Sequence, residues 1–485
     1  MGILSVIVWL PLAAAGLVLL LPARSLGAIR GVAVAAALLV FALTWGLLGD
    51  FDRAATGAQF AERAAWVPEM GMTYALGVDG ISLPMVLLTT LITLLALLAS
   101  FSVVDRVKPY FAWFLVLETA MLGVFTAQDW FLFYMFYEIA LLPMFFLIGL
   151  WGGKDRAAAA MSFLLYTLCG SVLMLIGLIA AYLATPEHSF DMATMARAGA
   201  GWSAAFQTVA FAACFIGFAV KVPAFPLHGW LPLAHVEAPV PVSMVLSAVL
   251  LKMGAYGLLR MAELFPLGFE WFSPTLLVLG LINIVYGALM AWRQSDLKAM
   301  VAFSSISHMG FVLVGLSALT SAGFTGAMMQ MFAHGLIAAA LFMLVGFLYE
   351  RTHTRDVTEF GGLYRQLPRY SLLMTTALLA SMGLPGLAGF VAEFHSLVGA
   401  FERWGMVIVV ACLGVLVTAA YSLRTISLMF TGPSNPRWSA LPDLSAREMA
   451  AAVPLLTMIV AFGLFPASAL SLMANAAKPL AALFR

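Results

Sequence analysis

Apolar runs of about twenty residues, each long enough to cross a bilayer as one helix, recur along the chain from end to end. That recurrence leaves little choice of fold class. Inside hydrocarbon every backbone N–H and C=O must be satisfied within the protein, and uninterrupted apolar runs of this length do so as helices. Of the 485 residues, 63% are hydrophobic and 10% charged, too little polar surface for a water-soluble chain. The sequence predicts an all-α polytopic membrane protein of about fourteen spans. They fall near residues 2–22, 29–48, 81–104, 110–127, 130–150, 160–184, 204–222, 240–262, 272–292, 299–319, 325–348, 371–402, 405–429 and 449–473. The gap at 49–80 is long enough only for an outer loop with a hairpin, and no soluble domain fits anywhere. The net charge of +1 says nothing about nucleic-acid or acidic partners, and no nucleic-acid partner is expected. Cys169, Cys214 and Cys412 lie in different predicted spans without metal-ligand spacing, and read as buried apolar residues.

Orientation follows from the basic residues. The first apolar run has no basic residue before it, which predicts a retained helix with its N-terminus outside. On that assignment fourteen Lys and Arg, Lys298 among them, fall in cytoplasmic loops. Seven, including Arg260 and Arg485, fall on the opposite side, and Lys221, Lys252 and Arg424 are left within spans. The bias places both termini outside. Two predicted spans are interrupted. The seventh breaks after Lys221 on Pro223, Pro226, Gly229 and Pro232, and continues as a short half-helix toward Trp230. The twelfth breaks on Gly383, Pro385, Gly386 and Gly389, just before Glu393. The offset of five spans predicts two five-helix repeats, 110–262 and 263–430, inverted relative to each other because five is odd. Residues 1–109 and 431–485 would flank them with three spans and one.

Charge inside the spans is costly and therefore informative. A lysine at bilayer depth costs about 2.5–3.5 kcal/mol on insertion scales, and Lys221 and Lys252 sit on neighbouring spans with a helix break between them. Lys252 lies thirteen residues beyond Pro239, roughly 20 Å along a helix, and Gly254 and Gly257 after it permit close helix approach. Glu138 is flanked by apolar residues for more than a turn on each side, so it cannot reach water by snorkelling. It reads either as a carboxyl hydrogen-bonded to a neighbouring helix or as the partner of Lys221 in a pair that can form and break. His308 and His334 occupy successive spans near mid-depth. They fit a proton relay, a plain buried contact or a pair of haem ligands, and Ser304, Ser305 and Ser307 favour a hydrated path. Glu393, beyond the second break, occupies the place of Lys221 in the repeat with opposite charge. Glu118 and Arg424 are secondary candidates within spans. His228, His235 and Glu237 fall in the link between spans seven and eight, where loop solvation accounts for much of the polarity. No nucleotide fingerprint, iron–sulfur cysteine run or flavin site is recognisable. These residues point to a proton or cation translocator, with a haem-bearing membrane cytochrome as the reading of another class.

The segments FYEIALLPMFFLIGLWGG, VKVPAFPLHGWLPLAHVEAPVPVSMVLSAVLLKMGAYGLLR, DLKAMVAFSSISHMG and GLPGLAGFVAEF resemble the M-type antiporter-like subunits of respiratory complex I (NADH:quinone oxidoreductase) over nearly the whole chain. The AHVEAP…VLLKMGAYG block is the specific part. The resemblance implies a fourteen-helix core and a place in the membrane arm beside other antiporter-like subunits, in a bacterial inner membrane. It implies that NADH, FMN, iron–sulfur clusters and quinone belong to partner subunits, with no cofactor in this chain. By motif match Glu138 and Lys221 take the family's ion pair, Lys252 the central lysine, His308 and His334 the connecting histidines and Glu393 the terminal acid. Leu233 departs from the family, whose members commonly carry lysine there. The large subunits of multi-subunit cation/proton antiporters share the fold and are the alternative; a glutamate on the twelfth span favours the M-type.

Overall fold

A computed structural model describes residues 2–484; Arg485, counted above among the outer basic residues, lies outside them. Among the described residues, thirteen stretches are helical, long and apolar enough to cross a membrane. One of them, Ala388–Phe430, contains two helices that meet at Gly405, so the number agrees with the expected fourteen. The spans, numbered in chain order, begin with Ile3–Leu20, Leu26–Asp50, Ser82–Ala99, Val107–Thr126, Trp130–Trp151 and Arg156–Ala184. Span 7 is Ala204–Lys221 with a half-helix at Trp230–Glu237, and span 8 is Val240–Leu264. Spans 9, 10 and 11 are Pro266–Trp292, Leu297–Ser317 and Ser321–Thr352. Span 12 is split into Pro368–Ser381 and Ala388–Trp404, and spans 13 and 14 are Val409–Phe430 and Ala446–Leu464. The expected hairpin is present, with Gln59–Val67 antiparallel to Met72–Val78.

Several boundaries differ from expectation. The last span stops at Leu464, because Pro466 cannot continue the helix; a separate helix, Ala467–Ala482, follows. The half-helix after the first break runs onward from Trp230 rather than toward it. Lys298 and Arg260, expected in loops, lie inside spans 10 and 8, buried to 3% and 4% exposure. Of the cysteines only Cys214 is buried; Cys169 and Cys412 face outward, where an apolar thiol needs lipid rather than protein around it.

The internal repeat has a signature in the backbone. Asp129 caps the start of span 5, accepting from the Phe131 and Leu132 amides, and bridges antiparallel to Asp191. Asp296 caps span 10 in the same way, accepting from Lys298 and Ala299, and bridges to Asp356. Both caps and both partners are offset by five spans. Asp129 stands at the hairpin end of the molecule, where Ala127 bridges Leu76, whereas Asp296 stands at the opposite end, after the five crossings of spans 5 to 9. The two halves are inverted.

Spans 8, 10 and 11 are buried on nearly every side, although their sequences are apolar all round. They form the centre of the bundle, and they carry Lys252, His308 and His334. Outer spans such as 2 and 14 keep a lipid-facing side. Chain breaks within the bilayer need partners for the freed backbone groups. At the first break Asn283 of span 9 supplies both kinds: its Oδ1 accepts from the Phe225 amide at 2.8 Å and its Nδ2 donates to the Pro223 carbonyl at 3.1 Å.

Candidate site: a buried row of ionisable side chains

Span 8 begins at Val240 in α form and passes through one π turn at Leu246–Leu250 before resuming as α-helix. A π turn shifts the hydrogen-bond register and frees a carbonyl. Here the Ser247 carbonyl accepts from the Lys252 ammonium at 2.6 Å. The Nζ of Lys252 also lies 2.6 Å from His334 Nδ1 on span 11. With Lys252 protonated, His334 Nδ1 is the acceptor and its proton sits on Nε2; with Lys252 neutral the roles can reverse. The His334 ring stands 5.4 Å from that of His308 on span 10. His308 Nδ1 is 3.0 Å from Glu393 Oε1 and its Nε2 is 3.1 Å from Ser381 Oγ. Because Ser381 ends the first piece of span 12 and Glu393 belongs to the second, one imidazole clasps both sides of the break. A cavity of about 10 Å³ lies among His308, Gln330, His334 and Glu393, room for about one water.

Four of the six expected residues therefore form one contact row: Lys252, His334, His308, Glu393. The row is hydrogen-bonded at both ends, Lys252 to His334 and His308 to Glu393, and the two imidazole rings stand 5.4 Å apart between them.

Glu138 and Lys221 do not form the expected ion pair in this structure. The Lys221 ammonium sits over the Tyr137 ring, 3.5 Å from its centroid, and donates to the Tyr137 carbonyl at 3.3 Å. Glu138 Oε1 is buried without a hydrogen-bond partner. Tyr137, the residue before Glu138 on span 5, supplies both the ring and the carbonyl that take the ammonium instead. Spans 7 and 8 are nevertheless in close contact. A Cβ on Gly254 would stand 2.8 Å from the Phe218 carbonyl and 3.0 Å from Lys221 Cβ, so glycine there lets span 8 lie against span 7.

The secondary candidates scatter. Glu118 on span 4 is fully buried, and neither carboxyl oxygen has a partner. His228 pairs with the Tyr286 hydroxyl at 3.2 Å. His235, expected to be loop-like, is fully buried and stacked 4.6 Å from Phe342 of span 11, because the half-helix carrying it packs into the bundle against spans 6 and 10. Glu237 accepts from the Asp155 amide at 2.9 Å at the bundle's edge. Arg424 is exposed and reaches the Trp292 carbonyl at 3.4 Å, outside the row. Sequence reasoning missed Tyr137, Asn283, Gln330 and Ser381. Only Gln330 carried a signal, one helical turn before His334.

Gly383, with φ of +77°, holds the second break against the site: a Cβ there would meet Glu393 Oε2 at 2.8 Å. Gly383→Ala should lower stability by at least about 1–2 kcal/mol, the cost of left-handed backbone for an L-residue. It should also displace Glu393, read as a lower melting temperature of the purified assembly together with reduced pumping. Unchanged values for both would show that the break tolerates a side chain at this position.

Fold and site together define a membrane protein of the antiporter-like type: two inverted halves, each with a broken helix next to a buried ionisable group. Residues 127–418 match the family described as NADH:quinone oxidoreductase/Mrp antiporter, TM. Residues 65–128 match NADH-ubiquinone oxidoreductase chain 4, amino terminus. NADH-quinone oxidoreductase subunit M of Rhodobacter capsulatus is 42% identical over 96% of this chain and 93% of its own length. NAD(P)H-quinone oxidoreductase chain 4 1 of Picosynechococcus sp. is 42% identical over 94% of this chain and 87% of its own. A chain of respiratory complex I from Thermus thermophilus superposes with a TM-score of 0.92 at 31% identity, covering 99% of this chain and all of that one. The chain belongs to the NADH:quinone oxidoreductase subunit M/chain 4 family of multi-pass membrane proteins.

Proposed function

We propose that this chain is the M-type subunit of a proton-translocating NADH:quinone oxidoreductase. It sits in a bacterial inner membrane beside other antiporter-like subunits, with both termini outside. NADH oxidation and quinone reduction occur in partner subunits, whose energy drives proton movement through this chain. Residues 110–262 form one half of the path and 263–430 the other, with 1–109 and 431–485 as flanking helices. Glu138 and Lys221 begin the row, Lys252 is its central proton carrier, His334 and His308 pass the proton on, and Glu393 releases it. One observation carries this reading: the buried row from Lys252 through His334 and His308 to Glu393 across four spans, hydrogen-bonded at both ends and with the two imidazoles 5.4 Å apart between them.

Each member of that run can both give and take a proton, which a static polar contact does not require. Glu393→Gln keeps an acceptor oxygen for His308 but cannot ionise. It should leave assembly intact and depress coupled turnover by about tenfold or more, as loss of a proton-transferring group does. Glu393→Asp should be partly tolerated. Proteoliposomes of the whole complex, with internal pH and NADH consumption followed together, test this; equal pumping by all three side chains would reduce Glu393 to a packed polar group.

A further inference from the structure

A second buried charged cluster lies on span 8 beyond Lys252, toward the hairpin end. Lys252, Tyr256 and Arg260 are spaced four residues apart and so share one face of the helix. Tyr256 is fully buried and Arg260 is 4% exposed. Arg260 Nε donates to the Tyr256 hydroxyl at 3.0 Å, and that hydroxyl donates to the Phe125 carbonyl at 3.3 Å. The far side of the guanidinium meets carboxylates: Nη2 is 2.8 Å from Asp79 Oδ2, and Nη1 is 3.5 Å from the half-exposed Glu263. Asp79 is fixed by the start of span 3, accepting from the Ile81 and Ser82 amides at 3.0 and 2.9 Å. Burial raises its carboxyl, but Arg260 and those amides outweigh burial and hold it below the usual range.

We propose that Arg260 is a donor-only plug that closes the hairpin-side end of the path beneath Lys252, so that a proton on Lys252 has no exit except toward His334. The proposal rests on the proton-carrier reading of Lys252. A proton wire needs groups that can accept as well as donate. A guanidinium has five N–H donors, no acceptor and a proton it never loses. The Tyr256 hydroxyl, the group between it and Lys252 on this face, already takes the Arg260 proton donor on its oxygen and spends its own proton on Phe125. A proton arriving from Lys252 thus meets a hydroxyl whose own proton is committed to the Phe125 carbonyl, which passes it no further, and a fixed positive charge repels it, as arginine does in pores that exclude protons. Asp79 and Glu263 face the other way, so they neutralise the guanidinium without offering acceptors to the path. Arg260 is accordingly a positioning residue that sets direction; it does not itself carry protons.

The test uses the whole complex in proteoliposomes without NADH, reading passive proton influx under a potassium diffusion potential. Wild type should be tight, and Arg260→Lys, which can keep a positive charge beside Asp79, should leak less than Arg260→Gln. Arg260→Gln introduces an acceptor carbonyl and should leak protons several-fold faster. Adding Lys252→Met to Arg260→Gln should return the leak to the wild-type level, because the path runs through Lys252. Tight Arg260→Gln vesicles, an Arg260→Lys leak equal to that of Arg260→Gln, or a leak that survives Lys252→Met would each overturn the plug. Lys252→Met alone pumping normally would instead sink the proton-carrier reading. If Arg260→Gln does not assemble, the charge-balanced Asp79→Asn with Arg260→Gln takes its place. Failure of both to assemble while Arg260→Lys does would make the cluster purely structural.

Discussion

Lys252→Met is expected to abolish coupled proton pumping, by about a hundredfold or more, the lower range of what a positioned proton-transferring side chain contributes. Methionine matches lysine in length and flexibility, so the space beside the π turn stays filled while the chemistry is lost. The substitution leaves the Ser247 carbonyl and His334 Nδ1 without their 2.6 Å donor. Each orphaned buried acceptor costs roughly 1–3 kcal/mol. Assembly must therefore be measured alongside activity, by native electrophoresis of the complex and by NADH oxidation with an artificial acceptor. Lys252→Arg restores both hydrogen bonds in principle yet keeps its proton at any relevant pH, so it should rescue assembly without rescuing pumping. A structural lysine would give the opposite pattern, with arginine restoring turnover. Should the assembled Lys252→Met complex keep the wild-type proton-to-electron ratio, the row cannot be the path.

Much of this was legible in the sequence because depth in a bilayer is a one-dimensional property. Counting residues from Pro239 places Lys252 deep in the membrane, and the two clusters of Pro and Gly place the broken helices, without knowledge of any contact. Partners across the bundle are another matter. Nothing in the periodicity of span 9 marks Asn283 as the residue that satisfies the first break; it is one polar side chain among apolar ones. Lys298 and Arg260 read as loop residues because they stand near predicted span ends. Their side chains turn inward instead, Lys298 to the Ala238 carbonyl and Arg260 to Asp79. His235 was misjudged for a related reason. Pro and Gly density signals a loop in water, but inside a bilayer it also marks a half-helix that re-enters the bundle, and this one packs on Phe342. The row from Lys252 to Glu393 was recoverable residue by residue, whereas the seat of Lys221 was not, since it depends on a contact between spans 5 and 7 with Tyr137.

That seat gives the Glu138 variants their sharpest expectation. Lys221 rests on the Tyr137 ring and carbonyl, and Glu138, the next residue, has an unpartnered oxygen. A desolvated cation–π contact stabilises by about 2 kcal/mol or more. An opposite-charge contact at about 4 Å, in an effective dielectric near 20, stabilises by about 4 kcal/mol before the carboxylate's own desolvation is subtracted. The two seats are thus close in energy, and a shift of a few kcal/mol suffices to exchange them. On this account the structure holds the separated state, and association with Glu138 is the other position of a two-position gate. Glu138→Gln and Glu138→Ala remove the second position. Both should suppress quinone-linked NADH oxidation and pumping together, by about tenfold or more, in line with loss of a proton-transfer group. NADH oxidation by an artificial acceptor should persist, because that chemistry lies in other subunits. Glu138→Asp should keep part of the activity. Tyr137→Leu, which removes the ring but leaves the carbonyl, should bias Lys221 toward Glu138 and also slow turnover, since a gate held in either position does not cycle. Normal pumping by an assembled Glu138→Ala complex would rule the gate out, and normal pumping by Tyr137→Leu would leave Glu138 in place but remove the aromatic seat from the cycle.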